Sequence, residues 1–340
     1  MLRRLLAIFE PFVLMLLGTV LLASFLPVRD GAVPVFEGVT DAAIVLLFFL
    51  HGAKLSREAI LDGARNWRLH LAVLGVTFLL FPLFGFGLAA LPWLPASIGA
   101  GLLFLTLLPS TVQSSIAFTA IARGNVAAAV CSASFSNLIG ILVTPALVAL
   151  LMTGASSSGA ISVDSVEKIA LQLLLPFVLG HLARPWIGGF VGRHKKMLTV
   201  VDRGSILLVV YTAFSAAVVE GLWQRTSGET LALLVALCCL LLLAVMLATY
   251  GIGKLMGLPR ADAIVLLFCG SKKSLASGVP MAGVLFPAAQ VGAIILPLML
   301  FHQIQLIACA VIARRYADKA SADDANDAAP GRDPSVAEAT

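Results

Sequence analysis

The chain has 340 residues, 60% of them hydrophobic and 12% charged, where a soluble domain carries about 25% charged residues. With a mean hydropathy of +1.01 it is neither an ordinary water-soluble domain nor a disordered chain, and its long unbroken apolar runs exclude the short alternating strands of an outer-membrane barrel. The formal charge of +5 fits the positive-inside bias of membrane proteins better than nucleic-acid binding. Five cysteines, Cys131, Cys238, Cys239, Cys269 and Cys309, form no CxxC pair and read as reduced, buried thiols rather than a disulfide or metal site.

A bilayer-crossing helix needs about 20 apolar residues, and ten such segments follow one another. The first, 5–26, starts after Arg3 and Arg4 and lacks a small-residue cleavage motif before Pro27, so it reads as an uncleaved span rather than a signal peptide. The second, 34–53, carries Glu37 and Asp41 four residues apart, hence on one helix face; they are candidates for a proton or cation relay. It ends at His51, Gly52 and Lys54, and a basic amphipathic linker leads to the third segment, 67–91.

The fourth segment, 96–121, is interrupted at LLPSTVQSSIAFT, Leu107 to Thr119. Pro109 removes a helical hydrogen bond and clashes with the preceding turn, and Ser110, Thr111, Gln113, Ser114 and Ser115 follow at once. The fifth, 125–152, holds Ser132, Ser134, Asn137 and Thr144. The sixth, seventh and eighth are 166–190, 199–223 and 230–256, the sixth ending near His181 and Arg184. The ninth, 261–286, breaks at FCGSKKSLASGVP, Phe268 to Pro280, where Ser271, Lys272, Lys273, Ser274 and Ser277 surround Gly270. The tenth, 289–313, contains His302, Gln303 and Gln305, suited to interhelical hydrogen bonds or to reaching the break. Residues 317–340 have no apolar face to bury and are predicted to be a disordered cytoplasmic tail.

With the N-terminus inside, eighteen of the 23 Lys and Arg fall on the cytoplasmic side, only Arg29, Lys168 and Arg225 fall outside, and Lys272 and Lys273 lie within a span. This bias predicts ten spans in a plasma membrane with both termini cytoplasmic.

The chain echoes itself. PFVL at Pro11–Leu14 returns at Pro176–Leu179, 165 residues on, and LPxxxxxxLLF at Leu94–Phe104 returns at Leu258–Phe268, 164 residues on. Glu37 and Asp202 also correspond. These offsets divide the chain into repeats 1–153 and 154–316 of five spans each. Five is odd, so the second repeat is predicted to enter the membrane upside down, as in secondary transporters that work by alternating access.

Both interruptions fall at equivalent places in the repeats, the recognised pointer to a midplane binding site. A helix broken inside the bilayer leaves amides and carbonyls that cost several kcal/mol each unless they find partners. Half-helix N-termini suit anions and free carbonyls suit cations. Gln113, Ser114, Ser271, Lys272, Lys273 and Ser274 are therefore candidate substrate contacts, with Asn137, His302 and Gln303 in support. A lysine at the bilayer centre costs about 2.5–3.5 kcal/mol, and adjacent lysines point in different directions on a helix, so the two are expected to do different jobs. One snorkels or pairs with carbonyls; the other faces the crossing, where it attracts an anion or gives up a proton during transport.

The strings FFLHGAKLS (Phe48–Ser56), NWRLHL (Asn66–Leu71), ARGNVAAAV (Ala122–Val130), LLPFVLGHLARPW (Leu174–Trp186) and FCGSKKSLASGVPM (Phe268–Met281) resemble the bile acid:sodium symporter family, in the branch of solute carrier family ten member seven and bacterial sodium-dependent transporters. The resemblance spans residues from about 5 to 316. It implies an all-α integral membrane fold of ten helices: a panel of spans one, two, six and seven, and a core of spans three to five and eight to ten in which broken spans four and nine cross. It further implies sodium-coupled symport of a small organic anion. Ser114 and Ser115, with Ser132 or Ser134, resemble the family's sodium ligands, and Na+ would then be the coupling ion, with no organic cofactor. The sodium-coupled members also carry a glutamate at the span-nine break, where this chain has Ser271, Lys272 and Lys273. The departure raises the alternative that a lysine ammonium takes the place of sodium, leaving a proton-coupled carrier. Further alternatives are a cation/proton antiporter, which would want an Asp at the crossing, and a regulatory protein linked to calcium handling, the association of the member-seven relatives. A membrane enzyme would need paired carboxylates, HExxH or a Ser/His/Asp cluster, none of which the sequence offers.

Overall fold

A computed structural model describes residues 11–54, 66–152, 170–225 and 227–327. The first residues of the initial segment, the linker over 55–65, the start of the sixth segment and the tail beyond 327 lie outside the described residues. All regular structure within them is helical. The helices are α1 (Pro11–Phe25), α2 (Val33–Lys54), α3 (Trp67–Ala89), α4 (Ala96–Leu107), α5 (Gln113–Ile121) and α6 (Val126–Met152). There follow α7 (Leu175–Arg193), α8 (Lys195–Val219), α9 (Gly228–Leu255), α10 (Arg260–Gly270), α11 (Leu275–Leu285) and α12 (Ala288–Asp327). Among the described residues seven helices are long and apolar enough to cross a membrane. Large apolar side chains cover the outside, Trp186 and Phe25 being 82% and 80% exposed, as befits a surface bathed in lipid rather than water.

The two interrupted segments are each a pair of helices, α4 with α5 and α10 with α11. The echoed Leu-Pro pairs occupy the same structural position. Pro95 (φ −54°, ψ 134°) immediately precedes α4, and Pro259 (φ −53°, ψ 149°) immediately precedes α10.

The helices pack in two groups. α2 lies along α7, and α1 and α2 both lie against α8. In the other group α3 packs on α4; α5 and α6 pack on α10; and α12 touches α4, α5, α9 and α11. The α2–α7 crossing depends on glycines at the contact. A Cβ on Gly180 would overlap the carbonyl of Phe49, and one on Gly52 the carbonyl of Phe177. We expect Gly180→Ala to cost about 1–3 kcal/mol through overpacking, read as a lowered Tm in detergent. Gly18→Ala, whose Cβ meets nothing within 4 Å, should leave Tm unchanged. Lys54 pairs with Asp202 across α2 and α8 near the same end of this group.

The groups meet where α8 runs against α11 and α12. Small residues line this seam. A Cβ on Gly292 would lie 2.6 Å from Ala217 Cβ and 3.2 Å from the Ala213 carbonyl, and one on Gly283 would lie 3.4 Å from Ile44 and 3.5 Å from Val209. Among the described residues no hydrogen bond links α8 to α11 or α12.

At the other end of the second group a polar clasp holds three helix starts. Asp262 accepts from Asn66 Nδ2 (3.0 Å) and Asn125 Nδ2 (2.9 Å), and the Asn125 amide donates to the Ala261 carbonyl (3.1 Å).

One expectation is corrected. The tail was expected to be disordered from 317, but α12 continues to Asp327. Low hydropathy hid two facts. The stretch from Ala317 is rich in Ala, the best helix former, and extending an existing helix needs no new nucleus. Arg260 donates to the Tyr316 carbonyl (2.8 Å) and Arg123 to Ser321 Oγ (3.1 Å), which fastens the extension to the loops beside it.

Candidate functional site

The two breaks, 108–112 and 271–274, face each other and exchange hydrogen bonds. Pro109 explains the first: α4 stops at Leu107, and the carbonyls of its last turn lose their helical donors. Each carbonyl finds a partner elsewhere. Leu107 accepts from Thr144 Oγ1 (2.8 Å), Pro109 from the Ser274 amide (2.8 Å) and Ser110 from Asn137 Nδ2 (2.7 Å). The Ser110 amide donates to Ser136 Oγ (2.9 Å). On the facing strand of chain, Phe268 accepts from Ser115 Oγ (3.0 Å) and Cys269 from Ser110 Oγ (2.6 Å). Gln305 holds the Lys273 backbone at both ends, accepting from its amide (2.9 Å) and donating to its carbonyl (3.0 Å), while its Nε2 also meets His302 Nδ1 (2.9 Å). Ser274 caps α11 by accepting from the Ser277 amide (3.2 Å), and Ser277 Oγ donates to Asn137 Oδ1 (2.7 Å).

Lys273 is wholly buried. Its ammonium donates to three backbone carbonyls: Thr106 (2.7 Å), Leu108 (2.6 Å) and Thr77 (2.8 Å). The first two belong to the end of α4, which carries the negative pole of the helix dipole. The third is set free by the local sequence of α3. There a single π-type turn, Val76–Leu80, gives the Phe81 amide to the Val76 carbonyl, and the next residue, Pro82, has no N–H. The Thr77 carbonyl thus has no donor one turn on in either register. The Phe81 ring lies 4.2 Å from the ammonium. Three donors meet three acceptors, so the side chain is saturated. We expect Pro82→Ala to lower Tm, although removing a helix proline ordinarily stabilises, because the new amide competes for the carbonyl that Lys273 uses.

Lys272 is equally buried but differently served. Among the described residues its ammonium makes one hydrogen bond, to Ser114 Oγ at 3.3 Å, and otherwise rests on aromatic faces, with Phe118 at 4.4 Å and Phe268 at 5.6 Å. Two donors are left unspent. Ser114 is half-buried at the first turn of α5 and donates to Thr111 Oγ1 (3.0 Å); its neighbour Gln113 is exposed. Lys272 therefore lies just under the surface at a half-helix N-terminus, where backbone amides also favour an anion.

The remaining candidates are spread more widely. Ser271 Oγ returns to the Leu267 carbonyl (2.5 Å). Ser132 Oγ is engaged by His70 Nδ1 (2.7 Å); Ser134 is half-buried with no hydrogen bond among the described residues, and Ser136, one turn beyond Ser132 on the same helix, is the α6 serine that reaches the break. In α12 it is Gln305, not the half-buried Gln303, that grips the second break. Glu37 and Asp41 are exposed on α2, on one helical stripe with buried Ile44 and Phe48, and make no hydrogen bond or ion pair among the described residues. The sequence reading missed Ser136, Thr77, Thr106 and Pro82. Pro82, inside an apolar run, was the one signal that could have been read.

Membrane-crossing helices, two breaks that satisfy each other, and one under-served lysine at a half-helix N-terminus are the arrangement expected of a carrier of small solutes. The match to a family model narrows the class: residues 10–318 fit the SBF-like CPA transporter family, and the chain belongs to it as a multi-pass membrane transporter. The Escherichia coli (strain K12) protein "Putative symporter YfeH" is 54% identical over 317 residues, 92% of this chain and 94% of that one. "Sodium/bile acid cotransporter 7-A" of Xenopus laevis is 26% identical over 297 residues, 84% of each chain, and "Sodium/bile acid cotransporter 7" of Rattus norvegicus is 26% identical over 302 residues, 87% and 88%.

Proposed function

We propose that the protein is a secondary carrier that moves a small organic anion across a bacterial inner membrane by alternating access, with Lys272 receiving the anion and Lys273 standing where a coupling cation would otherwise be held. The carrying observation is the contrast between two adjacent buried ammonium groups, one saturated by the carbonyls of Thr77, Thr106 and Leu108, the other with a single long contact to Ser114.

In this reading the chain makes ten crossings as two inverted repeats, 1–153 and 154–316, with both termini cytoplasmic; the matching positions of Pro95 and Pro259 support the equivalence of the repeats. The panel is α1, α2, α7 and α8; the core is the rest. Gln113, Ser114 and the first amides of α5 accompany Lys272 around a carboxylate or sulfonate, and Glu37 and Asp41 face the path as a relay. Sodium at the crossing is disfavoured. It needs oxygen ligands, yet the break carbonyls of Leu108, Pro109 and Ser110 already accept from Lys273, the Ser274 amide and Asn137, and Ser132 is engaged by His70; among the described residues no carboxylate pairs with either lysine.

The test is uptake into proteoliposomes and thermal stabilisation in detergent, with a panel of carboxylates and sulfonates that includes taurocholate. Choline replaces sodium at fixed pH in a parallel set. The expected result is an anion that raises Tm and enters vesicles without sodium. Uptake that stays strictly sodium-dependent at fixed pH overturns the assignment of Lys273, and silence across the whole panel favours a regulatory role.

A further inference from the structure

Away from the crossing, the outer face of α3 and the end of α9 enclose a groove of about 560 Å³. Leu71, Gly75, Leu79 and Leu83 line it along α3, and Ile252 and Met256 close the side toward α9. The groove is apolar along its length except at one end, where Trp67 and Arg68 stand side by side, both exposed. Arg68 has no hydrogen-bond or ion-pair partner among the described residues. It follows the basic linker, on the side assigned to the cytoplasm.

We propose that this groove binds an anionic phospholipid of the cytoplasmic leaflet, one acyl chain lying along α3 and the phosphate resting on Arg68 beside the Trp67 indole. Length and chemistry both fit. The span from Trp67 to Leu83 along a helix is about 24 Å, and one leaflet of hydrocarbon is about 15 Å deep, so a chain hung from the cytoplasmic surface lies wholly inside the groove. Tryptophan and arginine are the side chains that hold the headgroup level. Gly75 makes the room: a Cβ there would meet nothing within 4 Å, so the missing side chain is a slot left open and not a close helix contact. The floor at Val76, Leu79 and Leu80 is the outside of the π-type turn that offers the Thr77 carbonyl to Lys273, so a bound chain supports that turn from the lipid side.

The full-length protein, purified in detergent and delipidated, is mixed with phosphatidylglycerol or phosphatidylcholine and read by native mass spectrometry and by Tm. The wild type is expected to retain one phosphatidylglycerol per chain, with about a fivefold preference over phosphatidylcholine, and to gain Tm from it. Arg68→Gln should abolish the headgroup preference while a chain of either lipid is still held. Gly75→Leu, or Ala72→Leu as a second plug, should lose the retained lipid and the gain in Tm. Equal retention of both lipids by the wild type overturns the proposal, as does undiminished phosphatidylglycerol retention in both plugged variants. Disulfide-linked dimers of a Leu79→Cys variant overturn it too, because a second copy would then cover the groove.

Discussion

Lys273→Met is expected to leave little folded protein, with Tm lowered by about 10 °C or more wherever it can be measured. The substitution keeps the volume and removes the donors, so the carbonyls of Thr77, Thr106 and Leu108 are stranded in an apolar interior. A hydrogen bond to a charged group is worth about 1.5–3 kcal/mol, and removing one partner of a buried charged set costs about 3–5 kcal/mol. At roughly 2–4 °C per kcal/mol for a chain of this order, the shift is large against ordinary surface changes. Lys273→Arg should not rescue it, because a planar fork cannot point three donors at carbonyls spread over two helices. Differential scanning fluorimetry of purified variants decides the matter. A Tm within about 2 °C of wild type would mean that those carbonyls find other donors and that Lys273 does not hold the crossing together.

Lys272→Met should do the opposite, leaving Tm unchanged or raised and cutting uptake by about a hundredfold or more. The lost contacts are one long hydrogen bond and two aromatic faces, against which stands the desolvation of a buried ammonium. Replacing such a charge with an apolar side chain is often neutral, or stabilising by about 1–4 kcal/mol. An anion that gives up its water to meet Lys272 has no alternative partner of that charge, and breaking a buried ion pair of this kind costs about 2–5 kcal/mol of binding. Initial-rate uptake at matched reconstitution is the measurement, with the anion that stabilises the wild type. Wild-type uptake in the Met variant would remove Lys272 from the site altogether.

The opposite outcomes at adjacent positions show what could and could not be read in advance. Pro109 and Gly270 announce the breaks, because their effects are local and need no knowledge of neighbours. That Lys272 and Lys273 differ in role also follows from helix geometry. Which lysine is saturated does not, since it depends on free carbonyls in α3 and α4, and every residue carries a carbonyl. Serine register along α6 failed for a related reason. Ser132, Ser134 and Ser136 are chemically equal, and the rotation of α6 about its axis, set by contacts such as Pro109 against Gly140, selects Ser136. The extension of α12 past 317 was lost because hydropathy measures burial, while an Ala-rich helix on the end of a longer one needs none.

The seam between α8 and the pair α11 and α12 bears on how the molecule can move. Hydrogen bonds across a contact set a register, and each must break before the partners slide. Here the polar groups of the crossing are bonded inward, to one another, and among the described residues the boundary pairs glycines with alanine and aliphatic side chains, with no hydrogen bond between α8 and α11 or α12. In the alternating access proposed above, the core would move as a riveted block on a smooth track, with Lys273 and Gln305 as its rivets and Gly283, Gly292, Ala213 and Ala217 as its bearing surface. Among the described residues no hydrogen bond between α8 and α11 or α12 would have to break in such a displacement, so side-chain interlock would resist it there, and adding one methyl group at Gly292, 2.6 Å from Ala217 Cβ, would act as a brake on the motion rather than as damage to the site.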